Sequence, residues 1–173
     1  MRITNDDSRL PKIGVSRCLL GDAVRYDGAA KPSEIVIGRL AQMFELIAVC
    51  PEVEAGLGIP RPPVQLTGSL TTPRMTGRDD AALDVTDALH TLCDRRLPEL
   101  AELSGFVCKS RSPSCGVGST PVFIDGECVT ESSHGVFVRR LLERYPSLPL
   151  IDENGLLDSD RFDAFVERIR NGR

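Results

Sequence analysis

Residues 105–116 read Gly105-Phe106-Val107-Cys108-Lys109-Ser110-Arg111-Ser112-Pro113-Ser114-Cys115-Gly116. The first four residues form an apolar run of the kind that makes a buried strand, and the other eight form a loop rich in hydroxyl groups and cations. A buried strand that ends in such a loop commonly serves to present it. The stretch therefore predicts an anionic binding site, and an ordinary Ser/Pro turn with an incidental buried cysteine is the structural alternative.

Two earlier apolar runs also end at a cysteine. Lys12–Ser16 reads as a short strand followed by Cys18, and the run 46–49 leads directly into Cys50. The continuous apolar character of 46–49 is typical of a strand that is buried on both faces. Because the carboxyl ends of parallel strands meet at one edge of a sheet, Cys18, Cys50 and Cys115 are expected to meet there.

The alternation of apolar runs with helical patterns predicts the fold class. It favours an α/β fold, a Rossmann-like three-layer domain with a mostly parallel central sheet and a C-terminal hairpin/helix extension. The dipeptide Asp125-Gly126 between two apolar runs predicts the hairpin. Residues 55–80, rich in proline and glycine and carrying three arginines, predict a long irregular binding loop.

Helices are predicted where apolar residues recur at helical spacing. The first covers roughly 34–44, with Ser33 as its N-cap and Ile37 on its apolar face. The second covers 84–103 and is kinked or broken at Pro98. Two more are predicted over 135–144 and after Asp158 or Ser159.

Composition and charge narrow the class of protein. The 173 residues are 41% hydrophobic and 27% charged, which is typical of a globular protein with a substantial core. We expect a flexible segment over 1–11 and a single domain over 12–173. Without a signal-peptide pattern or a membrane-spanning run, a cytoplasmic location is expected and a membrane partner is not. The net charge of −4 argues against tight non-specific binding of nucleic acid.

The cysteines favour a metal centre. Six cysteines without a secretory signal suggest metal binding, catalysis or burial rather than disulfides. Cys93, Cys108 and Cys128 do not stand at strand ends and are interpreted as structural. Three converging thiolates with few histidines suit a soft metal site, and an iron–sulfur cluster with three protein ligands would keep one iron open. Three buried structural thiols remain the alternative.

Five motifs together resemble the thiouracil desulfidase (TudS) family, over roughly 12–150 and in the same order. They are Gly14-Val15-Ser16-Arg17-Cys18-Leu19-Leu20-Gly21, Arg25-Tyr26-Asp27-Gly28, Val49-Cys50-Pro51-Glu52-Val53, Gly58-Ile59-Pro60-Arg61-Pro62-Pro63 and the loop 109–116. The resemblance implies an oxygen-sensitive [4Fe-4S] cluster on Cys18, Cys50 and Cys115, with the fourth iron not ligated by protein. It further implies hydrolytic release of sulfide from a thiolated pyrimidine, such as 2-thiouracil or a 4-thiouridine type of substrate.

The resemblance also assigns roles to individual residues. Glu52 and Ser112 are the catalytic candidates. The candidates for substrate binding are Arg25, Tyr26, Arg61, Lys109, Ser110 and Arg111. For Glu52 the alternative is a carboxylate that stabilises a helix N-terminus, and for Ser112 it is a hydroxyl that caps a turn.

Rival functions belong to other classes. A metal- or cluster-binding module, a sensor or a sulfur carrier, would use the thiols without turnover and would not need Glu52. A nucleotide-binding domain without a cluster would hold no iron at all. As substrate, a small base or nucleoside fits the negative net charge better than transfer RNA does.

Overall fold

The computed structural model describes residues 9–172, and the predicted flexible segment 1–11 lies mostly outside them. Eight strands occur in the described part: β1 (Lys12–Ser16), β2 (Glu45–Val49), β3 (Val64–Thr67), β4 (Arg74–Gly77), β5 (Gly105–Cys108), β6 (Thr120–Ile124), β7 (Glu127–Ser133) and β8 (Leu150–Asp152). The α-helices are α1 (Ala41–Met43), α2 (Pro51–Glu54), α3 (Thr86–Arg96), α4 (Val136–Arg144) and α5 (Ser159–Asn171).

The first sheet is wholly parallel and has the strand order β2-β1-β5-β8. One face packs against α5 and the helical segment before β2, through residues such as Ile13, Leu40 and Phe162. The opposite face packs against α3 and α4 around Phe106 and Phe137. These three layers confirm the predicted α/β class.

A second sheet has the order β4-β3-β6-β7 and combines parallel with antiparallel pairs. Its apolar face contacts α3 and the start of α4 through residues that include Leu66, Leu89 and Val136. The predicted hairpin is confirmed, because Asp125 and Gly126 both have positive φ between β6 and β7. The hairpin is thus half of this second sheet.

Residues 55–80 are not the irregular loop that their proline and glycine content predicted. They contain β3 and β4, which pair antiparallel from Val64 opposite Gly77 to Thr67 opposite Arg74. Only four residues of each strand are paired. Because prolines flank these short strands, the amino-acid composition of the segment predicts a loop instead.

Two further expectations differ from the structure. β2 is only partly buried, because it pairs with β1 on one side and has no second partner strand within 9–172. Ile37 is exposed and Val36 is buried, because Val36–Leu40 is a π-helical turn that rotates the face predicted from α-helical spacing. The predicted break near Pro98 is confirmed, since α3 ends at Arg96 and a 3-10 turn follows.

No helix within residues 9–172 has the length and apolar character needed to cross a membrane.

Candidate active site

A pocket of about 340 Å³ lies at the carboxyl end of the parallel sheet. Every candidate residue predicted from the sequence lines it: Cys18, Cys50, Cys115, Glu52, Ser112, Arg25, Tyr26, Arg61, Lys109, Ser110 and Arg111. A larger groove of about 910 Å³ lies elsewhere on the chain, and none of these candidates lines it. The location follows the general rule for open α/β sheets.

The three cysteines enter the pocket from three neighbouring strands. Cys18 lies in the 3-10 turn that follows β1, Cys50 lies between β2 and α2, and Cys115 lies in the loop after β5. The central position of β1 brings its two neighbours to the same edge. Cys93 and Cys108 are fully buried and Cys128 is exposed, and none of these three cysteines lines the pocket.

Burial and charge act in opposite directions on the three thiols. Burial raises the pKa of Cys18 to about 11, although Lys109 and Arg25 oppose the rise. Burial likewise raises the pKa of Cys50, against a backbone hydrogen bond and the charge of Arg61, and it raises the pKa of Cys115 further still. The thiols of the metal-free protein are therefore protonated at neutral pH, and a metal would displace their protons.

Glu52 is a buried carboxylate held from two sides. Its Oε2 accepts a hydrogen bond from Arg61 Nε at 2.7 Å, and its Oε1 accepts one from Ser114 Oγ at 2.9 Å. A different carboxylate forms the hydrogen bond at the N-terminus of α2: Glu54 Oε1 accepts from the amide of Cys50 at 3.0 Å. Glu52 nevertheless lies in the first turn of α2, as its alternative role of stabilising the helix N-terminus requires, and the two roles are compatible.

Ser112 caps the turn that precedes Cys115. Its Oγ accepts hydrogen bonds from the amides of Ser114 at 3.3 Å and Cys115 at 3.0 Å. The same oxygen lies 3.2 Å from Ser114 Oγ. Since Ser114 Oγ donates to Glu52, a continuous chain of hydrogen bonds joins Ser112 to Glu52. The bridging role of Ser114 was missed, because the sequence does not show which hydroxyl of the loop faces Glu52.

Lys109 and Ser110 contact a residue that the sequence reasoning also missed. Glu153, one residue beyond β8, accepts hydrogen bonds from Lys109 Nζ and from both the amide and the hydroxyl of Ser110. A signal was available, since Asp152 and Glu153 directly follow the apolar run 148–151, which the sequence predicts as a last short strand of the same sheet.

The remaining candidates surround the mouth of the pocket or support its wall. Tyr26 has the guanidinium carbons of Arg25 and Arg78 each 6.0 Å from its ring centroid. Arg61 is buried, and besides Glu52 it donates to Gly58 O at 2.9 Å. Arg111 adopts a φ of 61° and is exposed, with Glu131 at 3.1 Å. The structure thus gathers these residues at one site, and their contacts with a substrate stay predictions.

Comparison with known proteins identifies the family. A sequence model described as 2-thiouracil desulfurase matches residues 13–153.

The chain belongs to the 2-thiouracil desulfurase family.

Two proteins are similar to most of this member of the 2-thiouracil desulfurase family. YbbK, an uncharacterized protein of Bacillus subtilis (strain 168), is 29% identical over 150 residues, which are 83% of this chain and 97% of YbbK. A solved structure of the [4Fe-4S]-dependent thiouracil desulfidase TudS shares 32% identity, with a TM-score of 0.67, over 84% of this chain and 92% of that chain. The family resemblance inferred from the five motifs is therefore confirmed.

The segment that matches the 2-thiouracil desulfurase family contains the strand ends that form the site. It begins within β1 and ends at Glu153, so it includes the three strand ends that carry Cys18, Cys50 and Cys115. The helix α5 lies beyond the match and contributes to the core on one face of the sheet.

Proposed function

We propose that this protein removes sulfur from a thiolated pyrimidine by hydrolysis, using a [4Fe-4S] cluster held by Cys18, Cys50 and Cys115. In this reaction a thiocarbonyl and water give a carbonyl and hydrogen sulfide, so no electrons are gained or lost. The observation that carries the proposal is the convergence of these cysteines with Glu52 and Ser112 on one pocket. Family membership and the likeness to TudS support it.

The residues present fit a cluster better than a single ion. Within residues 9–172, no three His, Cys, Asp or Glu side chains lie close enough together to hold one metal ion. A cluster distributes its ligands over several irons and takes cysteine thiolates, normally four of them. Three thiols would therefore leave one iron without a protein ligand. The nearby positive charges of Lys109, Arg25 and Arg61 would offset the negative thiolates.

When bound, the cluster would supply a Lewis-acidic iron that polarises the carbon–sulfur bond. Glu52 would move a proton between water and a ring nitrogen of the pyrimidine, since it lines the pocket and its carboxylate is held in one orientation. Arg61 and Ser114 would hold that orientation. Ser112 would orient water or the departing sulfur by turning its hydroxyl proton from Ser114 Oγ towards the pocket that it lines.

Recognition of the pyrimidine would fall to the mouth of the pocket. Tyr26 offers an aromatic face on which a planar base can stack. Within residues 9–172, no carboxylate lies within ion-pair distance of Arg25, so its guanidinium is available to a polar substrate. A free base or nucleoside, with its sulfur at ring position 2 or 4, suits this small pocket and the net charge of −4 better than transfer RNA does.

Anaerobic reconstitution tests the proposal directly. We expect about four irons and four sulfides per wild-type chain, and their loss in Cys18→Ala, Cys50→Ala and Cys115→Ala. Cys128→Ala is the matched control, because that thiol is exposed on β7 and does not line the pocket. The loaded protein should then release sulfide from 2-thiouracil or 4-thiouridine. A folded wild type that takes up no iron, or that retains its cluster without one of the three cysteines, would contradict the proposal.

A further inference from the structure

Glu153 is a half-buried carboxylate that the proposed reaction does not use. It stands beside Lys109 because β8 and β5 pair in parallel with Cys108 opposite Asp152, so the next residue of each strand emerges side by side. Its Oε2 accepts from the Ser110 amide at 2.7 Å and its Oε1 from the Ser110 hydroxyl at 2.7 Å. Asp152 stiffens the backbone beyond β8 by accepting the Gly155 amide at 2.7 Å.

The same group of contacts uses all the hydrogen-bond donors of the Lys109 ammonium group. Its ammonium donates to Glu153, to Ser110 O at 3.0 Å and to Ser110 Oγ at 3.0 Å. A lysine side chain has three protons to donate, so none is left for a substrate in this arrangement. The side chains of Lys109 and Glu153 are only 19% and 15% exposed, so water screens this ion pair weakly.

The contacts of these residues connect three strands at the pocket. Lys109 donates its amide to Ser16 Oγ at the end of β1, at 2.9 Å, while its side chain reaches Glu153 at the end of β8. The loop that begins there passes through the positive φ of Arg111 and then carries Ser112 and Cys115. The start of the loop therefore determines where its hydroxyl and thiol lie.

We propose that Glu153 is a positioning residue which, with Lys109 and Ser110, forms a clamp that holds the loop 109–116 in place for the reaction. In this role Lys109 acts within the protein and not as a ligand of the substrate. The effect on turnover rests on the proposed function, whereas the effect on the loop does not.

Hydrogen exchange in the cluster-free protein tests the clamp without any turnover. The Ser110 amide should exchange about tenfold faster in Glu153→Ala, and within about twofold of wild type in Glu153→Gln, whose side-chain oxygen can still accept that bond. Amides of β1 in the same spectra report global stability, and the Ser110 effect is measured relative to them. Glu102→Gln is the matched control, since it removes an exposed Lys–Glu pair at 2.6 Å.

Steady-state kinetics of the reconstituted enzyme then separate the clamp from a substrate contact. We expect Lys109→Met and Glu153→Ala each to lower kcat about tenfold with KM within about twofold, and the double variant to be no worse than Glu153→Ala alone, because both changes break the same clamp. The Glu102→Gln control should match wild type.

Two outcomes would overturn the clamp. One is a Ser110 amide that keeps wild-type protection in Glu153→Ala. The other is a Lys109→Met variant that raises KM at unchanged kcat and adds fully to Glu153→Ala, which would make Lys109 a substrate ligand. Wild type without turnover would count against the proposed function alone, and the exchange result would still decide the clamp.

Discussion

Glu52 shows how a single buried charge is accommodated in this protein. A carboxylate away from water is costly unless it is paired, and here Arg61 and Ser114 each satisfy one of its oxygens. Glu52 lies near the thiols because Pro51 and Glu52, the first two residues of α2, directly follow Cys50. Glu52 is therefore both structurally restrained and accessible to a molecule in the pocket.

The first prediction concerns Glu52 itself. Glu52→Gln keeps the shape and the acceptor for Arg61 but loses the ability to carry a proton, so sulfide release should fall about 10²- to 10⁴-fold while iron content is retained. Sulfide release and iron analysis on the same reconstituted sample measure both properties. Glu45→Gln, an exposed carboxylate on β2, is the control. Full activity in Glu52→Gln would remove this carboxylate from the mechanism and favour a binding module.

The second prediction is a pH dependence at Glu153. Burial alone would raise the pKa of Glu153, but hydrogen bonds from Lys109 and Ser110 outweigh it and lower the pKa below the ordinary 4.5. A lowered folded-state pKa means that the stabilisation is present above the unfolded value and lost as pH falls through the folded value.

Urea unfolding of the cluster-free protein measures this effect. Wild type should exceed Glu153→Gln in unfolding free energy at pH 7, and the difference should shrink by about pH 3, where the carboxylate of the unfolded chain is protonated. A difference that stays constant over this range would show that the charge of Glu153 does not contribute to stability.

At the scale of elements, the loop 109–116 depends on close packing against α4. The amides of Val136 and Phe137 at the start of that helix donate to the carbonyls of Pro113 at 2.9 Å and Ser114 at 3.1 Å. Gly135 precedes the helix, and a Cβ there would lie 2.4 Å from the Ser114 carbonyl. Glycine is required at this position because the two backbones touch.

The third prediction compares two glycines. Gly135→Ala should lower the unfolding free energy by about 1–3 kcal/mol through overpacking, and it should also reduce cluster uptake because the loop carries Cys115. Gly38→Ala is the matched control, since a Cβ there meets no atom within 4 Å and alanine favours a helix. Thermal unfolding and iron content of both variants provide the measurement. Equal behaviour of the two would contradict the contact with Ser114.

Some elements could be predicted from the local sequence, and others could not. The Asp125-Gly126 turn was predictable because few dipeptides tolerate two positive φ angles. β3 and β4 were not, since each strand has only four residues among prolines and glycines. β3 also relies on pairing with β6, a contact between residues far apart in sequence that leaves little local pattern. The exposure of Ile37 follows from a π-helical turn that spacing alone does not reveal.

At the scale of the whole molecule, the three thiols were predictable because topology brings them together. Each follows an apolar run, and parallel strands place their carboxyl ends at one edge. The bridge from Ser112 through Ser114 to Glu52 and the clamp at Glu153 were not predictable. They depend on side-chain directions in a loop and on the register of β5 with β8, which one sequence does not show.

The fourth prediction concerns removal of the cofactor. The apolar cores lie on both faces of the parallel sheet and under the second sheet, and they do not depend on a metal for their contacts. A chelator should therefore abolish activity while the far-UV circular dichroism and the cooperative urea transition persist. This behaviour differs from that of small zinc domains, which unfold without metal. Loss of the transition together with the iron would contradict it.

The position of β2 at the edge of the parallel sheet has a consequence for the lifetime of the loaded site. Strands with one neighbour open locally at lower free energy than central strands do, and Cys50 directly follows such a strand, whereas Cys18 and Cys115 follow strands with neighbours on both sides. Transient detachment of β2 would withdraw one thiol while the rest of the fold stays intact. A cluster held as proposed would then be lost at a rate set by the opening of this edge strand and not by the stability of the whole fold.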